Sequence, residues 1–235
     1  MNILTIIPAR GGSKGLPGKN IRPLNGIPLI QYPVKTALEC KYINRVITTT
    51  DSEDIARLAR EAGSEVIMRP PELATDDSLV IHSIWHVIDT VISQGYTPDI
   101  IVLLEPTSPL RAVKDIEAGI EKVMSGKYDC ATALSALKTP PARIWRIVND
   151  ETIESFIPES KPYLPRQELE TGYEFTGLFY VFTLALISED RSNPLLMRKR
   201  VAAVVVDKRT FVDIDDEVDF RFAELLAGVW SKSNK

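Results

Sequence analysis

Cysteine is scarce in this chain: Cys40 and Cys130 are the only two among 235 residues. That excludes a disulfide-built scaffold. Two thiols inside otherwise regular segments read as buried groups of a protein kept in a reducing compartment. Histidine is as scarce. His82 and His86 stand one helical turn apart, but the Ser-Ile-Trp between them lacks the glutamate of a zinc-protease helix, so ordinary helix packing is expected. Positive charge is not in excess. The formal net charge is -4, which argues against a general nucleic-acid surface. Trp85, Trp145 and Trp230 are therefore expected in the core or at an interface rather than as base-stacking platforms. The opening MNILTIIPAR holds an apolar stretch too short to span a bilayer, with no basic region before it. The expectation is a cytoplasmic protein. There is no internal repeat, low-complexity tract or clear linker.

What is present suits a soluble globular chain: 44% of residues are hydrophobic and 26% charged, and the length fits one domain with a sizeable core. Apolar runs alternate with amphipathic segments. ILTII (3–7), RVITTTD (45–51), EVIMR (65–69), DIIVLL (99–104) and DCATALSAL (129–137) read as strands, the first a continuous apolar run suited to burial on both faces. Between them, 28–40, 52–61, 79–93 and 113–125 carry helical spacing. Pro33 falls near the first turn of the first of these, where proline is tolerated. Strand and helix alternating at this spacing predict βαβ units around a parallel sheet. From Lys138 to about residue 176 the regularity fails in a stretch rich in proline and polar residues, expected to be a lid or dimer arm. GLFYVF (177–182), VAAVVV (201–206) and a helix from Glu217 restore it.

The most unusual stretch follows the first strand. IIPARGGSKGLPGKN (6–20) sets Arg10, Lys14 and Lys19 among Gly11, Gly12, Gly15 and Gly18. In open α/β sheets ligands bind at the carboxyl ends of strands. Glycines let backbone amides approach a phosphate, and arginine grips one with paired hydrogen bonds. The loop reads as a cradle for a polyanion such as a nucleoside triphosphate; the alternative is a glycine-rich turn with solvated charges. It is not a Walker A loop, because Ser13 stands where that motif needs its first glycine and Asn20 follows Lys19. The dinucleotide fingerprint is absent too.

A second constellation is TFVDID, where Asp213 and Asp215 end a predicted strand with both carboxylates on one face. Such a pair offers hard oxygens to Mg2+. The alternative is that these aspartates, with Asp216 and Glu217, only start the next helix.

IIPARGGSKGLPGKN, the block TTTDSEDIARLAREAGSEVIMRPPELATDDS (48–78), LLEPTSPLR (103–111) and VDIDDEVDF (212–220) together resemble, in order and over most of the chain, the CMP-sialic acid synthetases, or acylneuraminate cytidylyltransferases. Ketodeoxyoctonate cytidylyltransferases share the Pro-Ala-Arg but not the EPTSPLR block, and sugar-1-phosphate nucleotidyltransferases carry a different glycine loop. The resemblance implies a Rossmann-like α/β nucleotidyltransferase fold with a mostly parallel central sheet, helices on both faces, and a homodimer. It implies CTP at the glycine loop, with Arg10, Lys14 and Lys19 on the triphosphate beside Gly11, Gly12, Ser13 and Asn20. Arg69 would lie beside the cytosine, Arg166 near the sugar carboxylate with Gln167 next to it, and Mg2+ on Asp213 and Asp215. The implied reaction joins CMP to the anomeric hydroxyl of a nonulosonic acid and releases pyrophosphate. Two departures fall at positions the family uses for the sugar. Glu105 replaces a glutamine, and Thr176 replaces an asparagine before the glycine. An ionised glutamate only accepts hydrogen bonds. The sugar could therefore be legionaminate, pseudaminate or another diacylamino sugar rather than N-acetylneuraminate. Glu105 could instead face solvent or pair with Arg111. A nucleotidyltransferase for another sugar or nucleotide, or a non-catalytic relative, are the other readings; the retained aspartates weigh against the latter.

Overall fold

The first strand, β1 (Ile3–Pro8), is buried along almost its whole length, and its side chains divide between two cores. Ile3 and Ile7 pack on one face of the sheet, Leu4 and Ile6 on the other, as the two-residue repeat of a strand requires. In the computed structural model, which describes residues 1–13, 15–75, 77–208 and 211–233 (the side chains of 229–233 excepted), the chain continues through a small hairpin, β2 (Pro23–Leu24) and β3 (Ile27–Pro28), into α1 (Gln31–Glu39). There follow β4 (Arg45–Thr50), α2 (Glu53–Glu61), β5 (Glu65–Met68), α3 (Val80–Ser93), β6 (Ile100–Leu103), α4 (Val113–Met124) and β7 (Cys130–Ala136). Pro33 lies in the first turn of α1 as expected. Ser52 caps α2, its hydroxyl accepting from the Ile55 amide at 3.5 Å, with Glu53 and Asp54 in the first turn.

The next segment holds a separate hairpin, β8 (Trp145–Val148) and β9 (Thr152–Ser155), which forms a two-stranded sheet of its own. The long β10 (Tyr173–Thr183), the short α5 (Leu184–Ser188), β11 (Val201–Val205) and α6 (Glu217–Ser233) complete the chain. The main sheet has seven strands in the order β11-β7-β10-β6-β1-β4-β5. All its pairings are parallel except those of β10, which runs antiparallel between β6 and β7. β10 starts at Tyr173, opposite Ala136, so the last residues of the expected excursion already belong to the main sheet. α1, α2 and α4 cover one face, where Val34, Ile55 and Ile120 pack. α3 and α5 cover the other with Ile84, Val87 and Leu186. A third cluster joins Leu16 of the glycine loop to Leu110, Ile214 and Phe220, so α6 packs directly behind the loop.

Among the described residues of 208–216 no strand forms, contrary to the expectation for TFVDID. The alternation survives without one: Val212 and Ile214 are buried, while Asp213 and Asp215 are exposed. One backbone bond, Ile214 N to Thr107 O at 2.9 Å, ties the segment to the loop after β6. No described helix is long and apolar enough to cross a membrane. Cys40 and Cys130 are free thiols, both buried.

Candidate active site

The parallel strands β1, β4 and β6 end at one edge of the sheet, and the loops leaving them converge there. Aspartate at the end of β4 organises the first loop: Asp51 Oδ1 accepts from the Gly11 amide at 2.9 Å. Asn20, buried, donates to the Arg10 carbonyl at 2.9 Å and closes the same loop from its far end. Gly15 passes so near the Asp215 carbonyl that a Cβ there would stand 2.3 Å from the oxygen, so this position has room only for glycine. Lys19 is buried; its ammonium donates to the Ile214 carbonyl and lies 3.6 Å from Asp215 Oδ1. The loop and the acidic segment are thereby joined. Lys14 lies outside the described residues.

Three cavities meet at Glu105. One, of about 300 Å³, is bordered by Arg10, Arg69, Leu73, Thr75, Ser78 and Ser83 as well as Glu105. Arg69 is buried and donates to the Thr49 carbonyl at 2.7 Å and the Leu73 carbonyl at 3.4 Å, while among the described residues its Nε has no partner. A second cavity, of about 160 Å³, is bordered by Arg10, Ser13, Lys19, Asn20, Glu105 and Thr107. The third, of about 250 Å³, is apolar: Leu103, Phe175, Tyr180, Leu195, Leu196 and Met197 line it with Val80 and Glu105. Gly11 lies in a small neighbouring cleft with Asn20 and Ser52, and Gly12 faces open space.

Burial raises the Glu105 carboxyl above the usual carboxylate range, and the negative charge of Asp213 pushes it the same way; Arg111 and Lys19 oppose. Arg111 is itself buried and pulled down to about 9 by desolvation, against the pull of Glu105 and Asp213. It donates through Nη2 to the Glu105 main-chain carbonyl at 2.5 Å, and among the described residues its Nε and Nη1 have no partner. Arg111 thus holds the backbone of Glu105, and the residue borders the cavities rather than turning to solvent. Tyr180 is pushed up to about 12 by burial and by the charges of Glu105 and Asp213. Desolvation likewise lowers Arg69, with Asp51 opposing it.

The departure at Thr176 has a different outcome from that at Glu105. Thr176 is buried and its hydroxyl donates to the Ala133 carbonyl of β7 at 3.2 Å, which turns it into the sheet, and it borders none of the three cavities at Glu105. The next residue, Gly177, has φ +67° inside an irregularity of β10 between Phe175 and Tyr180. Its missing side chain leaves room for Ser108 Oγ, 3.2 Å from where a Cβ would be, and for Asp213 Oδ2 at 4.0 Å.

Asp213 and Asp215 do not cap α6. That task falls to Asp216, whose Oδ1 accepts from the amides of Val218 at 2.8 Å and Asp219 at 3.0 Å. Asp215 keeps its ion pair with Lys19, and both aspartates act electrostatically on Glu105. Among the described residues no cluster of three His, Cys, Asp or Glu side chains gathers to enclose a metal; His82 is exposed and His86 half-buried on α3. Arg166 and Gln167 are exposed on the segment before β10, Arg166 donating to the Lys138 carbonyl at 3.0 Å. Neither borders the cavities at Glu105. Asp51 and the wall Leu195–Met197 were not anticipated, and Arg111 was anticipated only as a side-chain partner for Glu105, whereas it holds the Glu105 main-chain carbonyl. Asp51 stands at a strand end and Arg111 closes the LLEPTSPLR block, which are weak signals; the wall has no motif.

The matching family model, described as cytidylyltransferase, covers residues 4–183, from the first strand to the end of β10. The chain belongs to the cytidylyltransferase family. It is a nucleotidyltransferase, and the glycine loop, Arg69 and the Glu105 loop all fall inside the matched stretch. The CMP-N,N'-diacetyllegionaminic acid synthase of Legionella pneumophila is 33% identical, with 96% of each chain covered. An N-acylneuraminate cytidylyltransferase of Escherichia coli O18:K1:H7 is 31% identical over 99% of this chain and 53% of its own length, so the chain spans about half of that relative. A pseudaminic acid cytidylyltransferase of Campylobacter jejuni is 28% identical over 96% of both. In solved structures the fold recurs in a CMP:2-keto-3-deoxy-manno-octonic acid synthetase complexed with CTP, with TM-score 0.71 and 17% identity over 97% of this chain and 99% of that one. It recurs again in a 4-diphosphocytidyl-2C-methyl-D-erythritol synthase from Anaerococcus prevotii, with TM-score 0.64 and 13% identity over 97% and 96%.

Proposed function

We propose that this chain transfers CMP from CTP to the anomeric hydroxyl of a nonulosonic acid and releases pyrophosphate. The observation that carries this reading is the meeting of three chemically different cavities at one residue, Glu105. The cavity beside Arg69 suits a nucleobase, with serine and threonine hydroxyls and a buried guanidinium as polar partners. The cavity beside Lys19, Ser13 and Asn20 suits the triphosphate. The apolar cavity suits the acyl groups of an acylamino sugar, whose reacting hydroxyl then lies at the junction. The sugar oxygen attacks the α-phosphorus, the bond to pyrophosphate breaks, and the hydroxyl proton passes to solvent. The chain's contribution is to hold the reacting atoms in line and to meet developing charge with Arg10 and Lys19.

Asp213 and Asp215 fit Mg2+: they are exposed hard-oxygen donors held on one side of their segment by the buried Val212 and Ile214. Bound there, the ion would neutralise phosphate charge. The region from 138 to 172 fits a homodimer arm, because its hairpin and turns expose Ile147 at 73%, Phe156 at 61% and Tyr163 at 77%, more apolar surface than a solvated loop needs. Two free buried thiols suit the reducing cytoplasm.

The test is pyrophosphate release across a panel of nonulosonic acids, with each nucleoside triphosphate in turn and Mg2+ present. Turnover with CTP and a diacylamino sugar or N-acetylneuraminate is the expected result. Release with a sugar phosphate instead, or preference for another nucleotide, overturns the reading.

A further inference from the structure

The apolar wall Pro194–Met197 belongs to neither a helix nor a strand. It lies between α5 and β11, and side chains hold it at both ends. On the β11 side, Arg198 Nη2 donates to the Leu186 carbonyl at 2.6 Å, and Arg200 pairs with Asp129 at 2.8 Å. On the α5 side the turn is local: the Asp190 carboxylate accepts from the Ser192 amide at 3.0 Å and its hydroxyl at 2.6 Å, and Asn193 Oδ1 accepts from the Leu195 amide at 2.9 Å. One side chain there reaches out to a rigid element. Arg191 lies over the Trp85 ring, 3.7 Å from its centroid, and donates to Asp89 Oδ1 at 2.5 Å. Both partners are on α3, the helix whose first residue, Val80, borders the same cavity.

We infer that Arg191 is a positioning residue that sets the width of the apolar cavity, and so the size of acyl group accepted, by tying the Leu195–Met197 wall to Trp85 and Asp89 of α3. The two sides of the cavity are otherwise separate pieces of chain: α3 begins at one, and the irregular segment forms the other. The guanidinium supplies both contacts at once, its carbon over the indole and its Nη2 on the carboxylate. Leu196 and Met197 pack into the same core as Trp85, so a shift of Arg191 is passed directly to the wall. This inference rests on the proposed sugar reading for its consequence, and on geometry alone for the tether.

The test pairs two readouts on the full chain, with Arg191→Ala, Asp89→Ala and the double variant. The first is amide hydrogen exchange over 192–197, without ligand. Arg191→Ala is expected to speed it about two- to fivefold, the size of an exposed cation–π contact, and the double variant no further, because both changes break one tether. The second is kcat/KM for two nonulosonic acids that differ only in acyl length. Arg191→Ala should shift the ratio toward the longer acyl group about two- to fivefold, through the sugar KM, with the CTP KM unchanged. Unchanged exchange overturns the tether whatever the sugars do. Faster exchange with an unchanged sugar ratio, or with a loss shared equally by CTP and both sugars, overturns the role in selectivity. If the parent turns over no nonulosonic acid at all, the functional reading fails, and the exchange arm still decides the tether.

Discussion

Gly15→Ala isolates the joint between the glycine loop and the acidic segment. The added Cβ would lie 2.3 Å from the Asp215 carbonyl oxygen, against 3.4–4 Å for an ordinary contact. The obstacle is backbone, so nothing can rotate aside, and the two segments must part by about 1 Å. Overpacking of that kind costs about 1–3 kcal/mol, which for a chain of this length lowers Tm by about 2–12 °C. The same displacement pulls Lys19 from the Ile214 carbonyl and from Asp215. A misplacement of about 1 Å among positioning groups lowers turnover by about tenfold to a hundredfold. The assay is a thermal melt with steady-state pyrophosphate release. Gly12→Ala is the stability control, because a Cβ there meets nothing within 4 Å, and its Tm should match the parent. A Gly15→Ala protein with parental Tm and parental kcat would refute the close approach and the coupling built on it.

Asp213→Asn and Asp215→Asn should keep the fold, since Asp216 and not these two caps α6, while reducing turnover and raising the Mg2+ concentration needed for half-maximal rate; Mg2+ titration by calorimetry checks the binding itself. Glu105→Gln should change the ratio of kcat/KM between N-acetylneuraminate and a diacylamino sugar, because an amide donates where an ionised carboxylate only accepts; an identical ratio removes Glu105 from selectivity. Burial holds the Glu105 carboxyl above its unfolded value, so stability is lost as pH rises from the unfolded carboxylate value of about 4.3 up through the folded-state value, and Glu105→Gln should gain stability relative to the parent progressively across that window, hold the gain above it and show none below it, read from denaturant melts across pH. Asp129 runs the other way: the Arg200 guanidinium holds it down to about 2, so its contribution is present above about pH 4 and is lost between there and about pH 2, and Arg200→Met should erase that acid-side loss in melts at descending pH.

Alternation of buried strands and amphipathic helices determined the layers of this fold, because burial on both faces needs an unbroken apolar run such as Ile3–Ile7 and a covering helix needs the 3.6-residue repeat. The glycine loop was legible for the same kind of local reason, a strand end followed by glycines and cations. The alternation of Asp213 and Asp215 around Ile214 was legible as well, although no ladder forms there; two buried neighbours suffice to turn both carboxylates outward. Tertiary structure alone decided the rest. β10 inserts antiparallel between β6 and β7, a pairing no local pattern specifies, and that insertion turns Thr176 into the sheet and brings Gly177 against Asp213. Glu105 and Thr176 looked alike as departures at sugar positions, yet only Glu105 reaches the cavities. Arg111 sits six residues beyond Glu105 and folds back to hold its carbonyl. The wall Leu195–Met197 bears no motif because apolar residues carry information only through what they pack against, and its partners Val80 and Leu103 are about a hundred residues away in sequence. Periodicity is a property of neighbours along the chain, whereas a cavity is made by residues that folding brings together from far apart.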